Sequence, residues 1–259
     1  MAEAMLEVRD LELGYGGEPV LEGVDLTIGT GEFASLVGPS GSGKSSVLRA
    51  ITGLQRPEAG EIDLGVDREH LGILFQDDAL LPWRTVRQNV ALGLKMRGAS
   101  RTAAAERADT WLERLGLAGL GDRFPRQLSG GQRKRVALAQ VLALQPRLLL
   151  MDEPFASLDA IVRRRITQDL LEWVERERLT VLLVTHDLEE AVSLSDTVHL
   201  LSRGPRAQIR DSIDVPIPRP RDLVEVRTHP AYAPLLRRLW NGLADEVEPG
   251  TQKTGLVEA

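Results

Sequence analysis

Eight residues in the first fifth of the chain combine glycine, lysine and serine at the spacing of a phosphate-binding loop. They read Gly38-Pro39-Ser40-Gly41-Ser42-Gly43-Lys44-Ser45. The glycines lack side chains that would keep the backbone away from phosphate oxygens, and the N–H groups of such a loop attract an anion. Lys44 can reach the β- and γ-phosphates of a nucleotide, and the Ser45 hydroxyl can ligate Mg²⁺. The stretch therefore predicts a nucleoside triphosphate site.

The segments on either side of this loop support the same prediction. An apolar run precedes it at residues 33–37, and apolar residues at helical spacing follow it at residues 47–51. A phosphate-binding loop requires strand, glycine loop and helix in this order, because the positive end of the helix also attracts the anion. A glycine- and serine-rich turn that matches by chance is the alternative, and the context disfavours it.

Two adjacent carboxylates follow a second apolar run. Residues 148–151 are continuously apolar, which is typical of a central parallel strand, and Asp152 and Glu153 come next. Open α/β sheets bind ligands at this end of their strands. Burial of two carboxylates is costly unless a cation or a proton shares the site. We therefore predict that Asp152 makes an outer contact with Mg²⁺ and that Glu153 polarises a water for attack on the γ-phosphate.

A second glycine-containing junction, Leu-Ser-Gly-Gly-Gln, lies at residues 128–132. Gly130 and Gly131 open a predicted helix that runs to Leu144, so backbone N–H groups are again offered at a helix N-terminus. The junction is either a second phosphate-contacting surface or an ordinary helix start capped by Ser129. The spacing alone does not choose between them.

Three further residues lie at predicted strand ends. Gln76 follows a short strand at residues 71–75 and could reach a metal or an attacking water, although on its own it is more simply a surface loop residue. His186 follows the buried strand at residues 180–184, where it can sense a phosphate. Tyr15 ends the first predicted strand, either as a half-exposed aromatic or as a platform on which a nucleotide base stacks.

The composition predicts a packed core with a charged surface. Of 259 residues, 42% are hydrophobic and 27% are charged, and the net charge of −6 argues against non-specific nucleic-acid binding. No apolar run approaches the roughly 20 residues that span a bilayer, and no secretory signal is visible. The absence of cysteine excludes disulfides, thiolate metal sites and cysteine nucleophiles, and agrees with a cytoplasmic location.

The remaining patterns predict how these residues are positioned. Residues 6–13 and 20–28 alternate apolar and polar side chains, which predicts an antiparallel strand pair before the phosphate-binding strand. Residues 85–144 carry helical patterns without an obvious strand, which predicts a helical insertion with Thr85 as its first N-cap. Further elements are predicted near the C-terminus: edge strands at residues 198–201 and 207–213, a helix at 229–243 and a disordered tail.

In order and spacing, residues 38–45, 128–132 and 148–153 resemble the nucleotide-binding subunit of ATP-binding cassette (ABC) transporters. The resemblance implies an α/β fold. Its P-loop NTPase core would have a mixed, mostly parallel sheet, preceded by an N-terminal antiparallel β subdomain and interrupted by a helical subdomain. The implied boundaries are an ATPase domain at residues 1–240, its helical subdomain at about 77–145, and a C-terminal tail at 241–259.

The resemblance also implies a role for each motif residue. Glu153 would be the catalytic base, His186 the γ-phosphate switch, and Gln76 the link between the metal and a membrane partner. Mg²⁺ would be held by Ser45, by Gln76 and, through water, by Asp152. The residues implied in ATP binding are Tyr15 at the adenine, residues 38–46 with Ser46 at the phosphates, and Ser129, Gly130, Gly131, Gln132 and Asp159 at the subunit boundary.

Several partners follow from the same resemblance. In this family residues 128–132 of one subunit complete the ATP site of the other, so two copies would form a head-to-tail dimer. The segment from Gln76 to Arg87 would dock on transmembrane permease subunits, a solute-binding protein outside the cell would act indirectly, and no nucleic acid would be involved. Trp83, by itself a core residue or an exposed anchor, would then belong to the permease surface. The implied location is peripheral, at the cytoplasmic face of the inner or plasma membrane.

A narrower resemblance is to the ATPases of nitrate, taurine and aliphatic sulfonate importers. It rests on residues 81–86 with 89–90, on 151–155 and on 217–222. Ser46 stands where threonine is usual and Gln140 where arginine is common, and neither change removes a phosphate contact. The implied function is an ATP-hydrolysing subunit that energises import of a small solute. The alternative is a soluble ABC-type ATPase such as an iron–sulfur assembly ATPase. A GTPase is disfavoured because the chain has no guanine-reading Asn-Lys-x-Asp.

Overall fold

The computed structural model describes residues 3–155 and 158–247. The strands are β1 (Ala4–Tyr15), β2 (Glu18–Gly29), β3 (Phe33–Val37), β4 (Ala59–Leu64), β5 (Leu71–Leu74), β6 (Leu148–Asp152), β7 (Thr180–Thr185), β8 (Thr197–Leu201) and β9 (Ile209–Asp214). The helices are α1 (Lys44–Thr52), α2 (Val86–Met96), α3 (Arg101–Arg114), α4 (Gly130–Leu142), α5 (Ala160–Glu177), α6 (Leu188–Leu194) and α7 (Tyr232–Val247). Short 3₁₀ turns lie at Arg68–His70, Pro125–Gln127 and Glu225–Thr228.

A six-stranded sheet in the order β5-β6-β7-β3-β8-β9 forms the centre of the fold. Neighbouring strands are parallel except for β8 and β9. Strands β3, β6 and β7 are buried almost throughout, because a parallel sheet is covered on both faces. The carboxyl ends of the parallel strands share one edge, so residues that follow different strands can meet there.

The prediction of β8 as an edge strand is wrong. β8 lies between β3 and β9, and its residues 198–201 are buried. The edge strand on this side of the sheet is β9, which alternates partly exposed and exposed residues along most of its length, and β5 forms the opposite edge. Val198, Leu200 and Leu201 are apolar and His199 is buried among them, which agrees with an interior strand whose two faces are covered.

The N-terminal strands form a separate antiparallel sheet in the order β2-β1-β4. This confirms the predicted strand pair and adds β4 to it. One buried hydrophobic cluster joins the apolar face of this sheet to α1 and to alternate residues of the central strands. That packing fixes Tyr15, the last residue of β1, relative to the loop at the start of α1.

Helices α2, α3 and α4 form the helical region that the sequence predicts between β5 and β6. Thr85 is the N-cap of α2: its hydroxyl accepts the Gln88 N–H at 3.3 Å, and the Gln88 side chain accepts the Thr85 N–H at 3.1 Å. Trp111 of α3 packs edge-on against Trp173 of α5, with ring centroids 5.6 Å apart. The helical region therefore packs directly on the core through one hydrophobic cluster.

The segment before α7 is held by the buried side chain of Arg221. Its guanidinium donates to the carbonyl oxygens of Ile217 at 2.7 Å and Ser195 at 2.6 Å. It also donates to Asp196 Oδ1 at 3.3 Å, and Asp196 Oδ2 accepts the N–H of Phe33 at 2.9 Å. The Pro-Arg-Pro-Arg stretch at residues 218–221 is therefore a clamp on the start of β3.

The terminal helix differs in its limits from the prediction of residues 229–243. α7 begins at Tyr232 and continues to Val247, into the range assigned to the tail. Residues 248–259, where the rest of the predicted tail falls, lie outside the described residues. Within the described part of the chain, no helix is both long enough and apolar enough to cross a membrane.

Candidate active site

The phosphate loop (residues 38–45) connects β3 to α1, as the sequence predicts. Gly41 and Gly43 have φ angles of 79° and 93°, in the left-handed region that favours glycine. A Cβ atom on Gly38 would lie 2.7 Å from the Leu201 carbonyl oxygen, which is closer than a real side chain can approach. These glycines are therefore needed for the loop to curve and to pack against β8.

Polar groups of the loop fit a phosphate ligand. Lys44 Nζ lies over the loop and donates to the carbonyl oxygens of Gly38 at 2.9 Å and Pro39 at 2.8 Å. Burial lowers the pKa of Lys44, and the carboxylates of Glu153 and Asp152 oppose that shift. The Ser42 hydroxyl is buried without a hydrogen-bond partner among the described residues. Buried polar atoms normally have a partner, so a phosphate bound in this loop could supply the one that the Ser42 hydroxyl lacks.

Ser45 and Asp152 form a donor set suited to a hard cation. They are 107 positions apart in sequence, and Ser45 Oγ donates to Asp152 Oδ1 at 3.0 Å. Burial raises the pKa of Asp152, while the Ser45 hydrogen bond and the positive charges of Arg49 and Lys44 oppose the shift. Hydroxyl and carboxylate oxygens are the ligands that Mg²⁺ prefers, so the pair fits that ion.

Glu153 and His186 meet at the ends of neighbouring strands. Glu153 Oε1 lies 3.1 Å from His186 Nδ1, because β6 and β7 are parallel and adjacent. Glu153 has a φ of 43°, and its N–H donates to the Val184 carbonyl at 2.9 Å. A glutamate in the left-handed region is strained, and such strain is typical of functional sites. Both side chains are partly exposed, so water can reach the carboxylate.

Tyr15 lies beside the start of α1 and is 44% exposed. Its hydroxyl lies 3.1 Å from Ser46 Oγ and also donates to the side-chain oxygen of Gln55. Gln55 Nε2 in turn donates to the Gly14 carbonyl at 3.4 Å. The tyrosine is thus held by its hydroxyl while part of its ring remains accessible to a base.

The signature segment (residues 128–132) starts α4. The Ser129 hydroxyl accepts the Gln132 N–H at 3.2 Å, and Gln132 Oε1 accepts the Ser129 N–H at 3.0 Å. Ser129 is therefore the helix cap that one of the two interpretations proposed. Ser129 and Gly130 are exposed, and the described residues show no hydrogen bond or ion pair between this segment and the phosphate loop.

The start of α5 packs beside the signature segment. Asp159 Oδ1 accepts the Val162 N–H at 3.0 Å and caps the helix. A Cβ atom on Gly131 would lie 2.8 Å from Val162 Cγ1, so the two helix starts are in close contact. Asp159 therefore lies next to the signature segment.

The segment after β5 is partly exposed. Gln76 is exposed, and the Trp83 side chain is 71% exposed, so the interpretation of Trp83 as a core residue is wrong. Arg87, at the end of the predicted permease segment, is instead paired within the chain: its guanidinium donates to Asp109 at 2.6 Å and also to Asp122. The exposed aromatic therefore lies in the turn just before α2, a helix that Arg87 anchors to α3.

Sequence reasoning missed three residues that touch the predicted site. Gln55 binds the Tyr15 hydroxyl, and Lys134 binds the Gln76 carbonyl. Glu190 accepts a hydrogen bond from Thr185 beside His186, and burial raises its pKa to about 7. Only Lys134 had a signal in the sequence, since it falls at helical spacing with buried residues of α4 such as Leu138.

Three features define a P-loop nucleoside triphosphatase: a phosphate loop, a hydroxyl and a carboxylate suited to bind a cation, and a glutamate at a strand end. The profile of the family described as "ABC transporter" matches residues 21–156, more than half of the chain. The chain belongs to the ABC transporter family, and its nucleotide-hydrolysing core is an ABC ATPase. The predicted fold class, with its mixed central sheet, antiparallel N-terminal sheet and helical region, is thereby confirmed.

Individual relatives agree with this assignment. The chain is 45% identical over 236 residues to the aliphatic sulfonates import ATP-binding protein of Rhodococcus jostii, covering 91% of this chain and 93% of that one. It is 41% identical over 246 residues to the nitrate import ATP-binding protein of Synechococcus elongatus, covering 91% of this chain and 37% of that one. The chain thus spans little more than a third of the nitrate relative.

A solved structure gives the same fold. The chain is similar to an ATP-binding cassette in a dimeric, post-hydrolysis state bound to ADP and Pi, with a TM-score of 0.72 and 33% identity. The match covers 82% of this chain and 99% of that one. The predicted resemblance to the importer ATPases is confirmed for the nitrate and sulfonate relatives.

Proposed function

We propose that this chain is the ATP-hydrolysing subunit that energises an importer of nitrate, taurine, a sulfonate or a related small solute. The names of the relatives support the transport role. One structural observation supports the chemistry most strongly: the Ser45–Asp152 and Glu153–His186 pairs lie at adjacent strand ends beside the phosphate loop. Cargo selection belongs to the permease and the solute-binding protein.

Each part of the site has a task in this proposal. Residues 38–46 bind the phosphates of ATP, with Lys44 exchanging its loop carbonyls for phosphate oxygens. The Tyr15 ring stacks on adenine. Ser45, Gln76 and, through water, Asp152 would hold Mg²⁺, which would supply neutralisation of the phosphate charge. The positions of the glycines and of the Ser42 hydroxyl support a ligand of this shape.

Hydrolysis is assigned to Glu153 and His186. The Glu153 carboxylate accepts the proton of the attacking water, and the imidazole 3.1 Å away orients that carboxylate and senses the γ-phosphate. The strained backbone of Glu153 supports this role, because residues held in such conformations cluster at functional sites.

The signature segment is assigned to the site of a second copy. Ser129, Gly130, Gly131 and Gln132 are presented at a helix N-terminus, and among the described residues no hydrogen bond or ion pair joins them to their own phosphate loop. This arrangement suits closure over the ATP of a partner in a head-to-tail dimer. Asp159 lies beside this segment and belongs to the same subunit boundary. In this arrangement residues 1–240 form the ATPase domain, and residues 77–145 are the helical subdomain that moves on closure.

The exposed segment from Gln76 to Arg87 is assigned to permease docking. A large exposed aromatic such as Trp83 is a typical anchor at a protein interface. Docking places the chain peripherally at the cytoplasmic face of the membrane, with a solute-binding protein acting indirectly from outside and no nucleic acid involved. The iron–sulfur assembly alternative is less favoured, because it predicts a segment after Gln76 that is buried in its own domain.

The test is Mg²⁺-dependent ATP hydrolysis by the purified chain, alone and with the permease that co-purifies with it. Glu153→Gln keeps the shape of the side chain and removes the base, so kcat should fall about 10²–10⁴-fold. Glu113→Gln, an exposed position on α3, is the matched control and should leave kcat unchanged. Retention of hydrolysis by Glu153→Gln contradicts the catalytic assignment. Absence of solute-dependent stimulation with the permease contradicts the transport role.

A further inference from the structure

The first observation concerns a lysine inside the helical region. Lys134 lies on α4, and its side chain is only 2% exposed. Lysine is rarely buried, because removing an ammonium group from water is costly unless partners compensate. A fully buried lysine on the helix that carries the signature segment therefore calls for a specific set of partners.

Those partners are found in the segment that carries Gln76. Lys134 Nζ donates to the carbonyl oxygens of Phe75 and Gln76, both at 3.0 Å. It also lies 3.9 Å from Asp78 Oδ1, and the neighbouring Arg133 lies 3.4 Å from Asp78 Oδ2. The three N–H groups of the ammonium thus face two backbone carbonyls and one carboxylate.

This contact joins two parts of the chain with different tasks. Residues 75–80 follow β5 and belong to no helix or strand, so the regular hydrogen bonds of the sheet do not hold them. The N-cap and first turn of α4 carry Ser129 and Gln132, five and two positions before Lys134. The lysine therefore connects the backbone of a proposed Mg²⁺ contact to the helix that is presented to a second copy.

We propose that Lys134 is a positioning residue that couples the location of Gln76 to the orientation of the signature segment. The proposal rests on the function proposed above, in which Gln76 serves the ATP site of its own chain and the signature segment serves that of the partner. A change at one site is then transmitted to the other through the ammonium group and the rigid helix behind it.

Loss of the ammonium has a defined consequence. Lys134→Met keeps the length of the side chain and leaves the carbonyls of Phe75 and Gln76 without their donor. The segment then keeps the Arg133–Asp78 ion pair but loses both hydrogen bonds to α4, so its backbone can shift. Misplacement of a reacting group by about 1 Å can lower a rate on the order of 100-fold. Lys134→Arg retains a cation and several donors, and should recover most of the function.

The kinetic test is a double-mutant cycle on the full chain. Lys134→Met should lower kcat for ATP hydrolysis by about 10- to 100-fold, with a much smaller change in KM. In a Gln76→Ala background the same substitution should lower kcat by less than about twofold, because the group that it positions is gone. Lys95→Met, on α2 of the same helical region, is the control and should match the wild type. Equal losses in both backgrounds, or an unchanged kcat, overturn the proposal.

A second measurement does not depend on hydrolysis. The chain contains no cysteine, so spin labels can be attached at Ala79→Cys and Arg126→Cys, beside the two segments that Lys134 joins. The distance distribution between the labels should be narrow in the parent and broad in Lys134→Met. If the distribution in Lys134→Met is as narrow as in the parent, the proposed coupling through Lys134 is wrong, whatever the ATPase activity of the variant. A wild-type chain without ATPase activity would instead refute the proposed function. The label distances would still test whether Lys134 holds the two segments together.

Discussion

Tyr15 gives the sharpest test of how the chain prepares its nucleotide site. The Tyr15 hydroxyl is held by Ser46 and Gln55, and Gln55 is itself held by the Gly14 carbonyl. Tyr15→Phe removes both contacts of the hydroxyl and keeps the aromatic ring. If these contacts preorganise the ring for adenine, the substitution should weaken ATP binding although it removes no atom that touches the base.

The expected magnitude follows from the two contacts. A hydrogen bond contributes about 0.5–1.5 kcal/mol net, and the partial exposure of Tyr15 places each of these toward the lower end. Their combined loss of about 1–2 kcal/mol corresponds to roughly a 5- to 30-fold rise in Kd for ATP. Tyr15→Ala also removes base stacking, which is worth about 1–3 kcal/mol, and should bind more weakly still.

Calorimetric titration of ATP into the wild type, Tyr15→Phe, Gln55→Leu and the double variant decides the matter. Gln55→Leu removes one of the two contacts and should weaken ATP binding by less than Tyr15→Phe does. The double variant should bind about as weakly as Tyr15→Phe alone, because both substitutions act through the same hydroxyl. Additive losses would show that Gln55 acts elsewhere. Wild-type affinity in Tyr15→Ala would refute the assignment of Tyr15 to the adenine.

Three further substitutions test the surroundings of the site. Gly38→Ala places a Cβ 2.7 Å from the Leu201 carbonyl oxygen, so it should destabilise the fold by about 1–3 kcal/mol and weaken ATP binding. Urea unfolding measures the stability and calorimetric titration the affinity. Wild-type values for both would contradict the close packing of the loop. Arg221→Met leaves backbone carbonyls unpaired at the clamp and should destabilise the fold by about 3 kcal/mol, whereas the exposed control Arg176→Met should have little effect. Burial lowers the pKa of His199 to about 4, so the folded chain keeps it neutral while the unfolded chain binds a proton below its ordinary pKa near 6.5. Stability should therefore fall by up to about 3 kcal/mol as pH drops from 6.5 to 4, and His199→Gln should flatten that part of the unfolding profile; an unchanged slope would refute the assignment.

Much of the site could be predicted because its chemistry is local in sequence. The phosphate loop is defined by eight consecutive residues. Asp152, Glu153 and His186 could be placed because each directly follows an apolar run, and parallel strands end at one edge of a sheet. The Ser45–Asp152 contact spans 107 positions, yet it follows from two local patterns and that rule.

Contacts that depend on packing between distant elements could not be predicted. The strand order puts β8 inside the sheet. The sequence could not predict this position, because the pattern of apolar residues in a strand does not reveal how many neighbouring strands it has. Lys134 contacts Phe75 across 59 positions, and a charged residue on a helix gives no indication of which carbonyls it meets. The Gln55–Tyr15 contact depends in the same way on how the antiparallel sheet packs on α1.

The central claim is that two copies close on ATP, with the signature segment of each on the nucleotide of the other. Its most direct test is the mass of Glu153→Gln in solution, measured by light scattering with ATP and Mg²⁺, because this variant should bind ATP without hydrolysing it. The account predicts twice the chain mass with ATP, the mass of a single chain with ADP, and loss of the ATP-dependent dimer on adding Ser129→Arg. A single-chain mass at saturating ATP would contradict it.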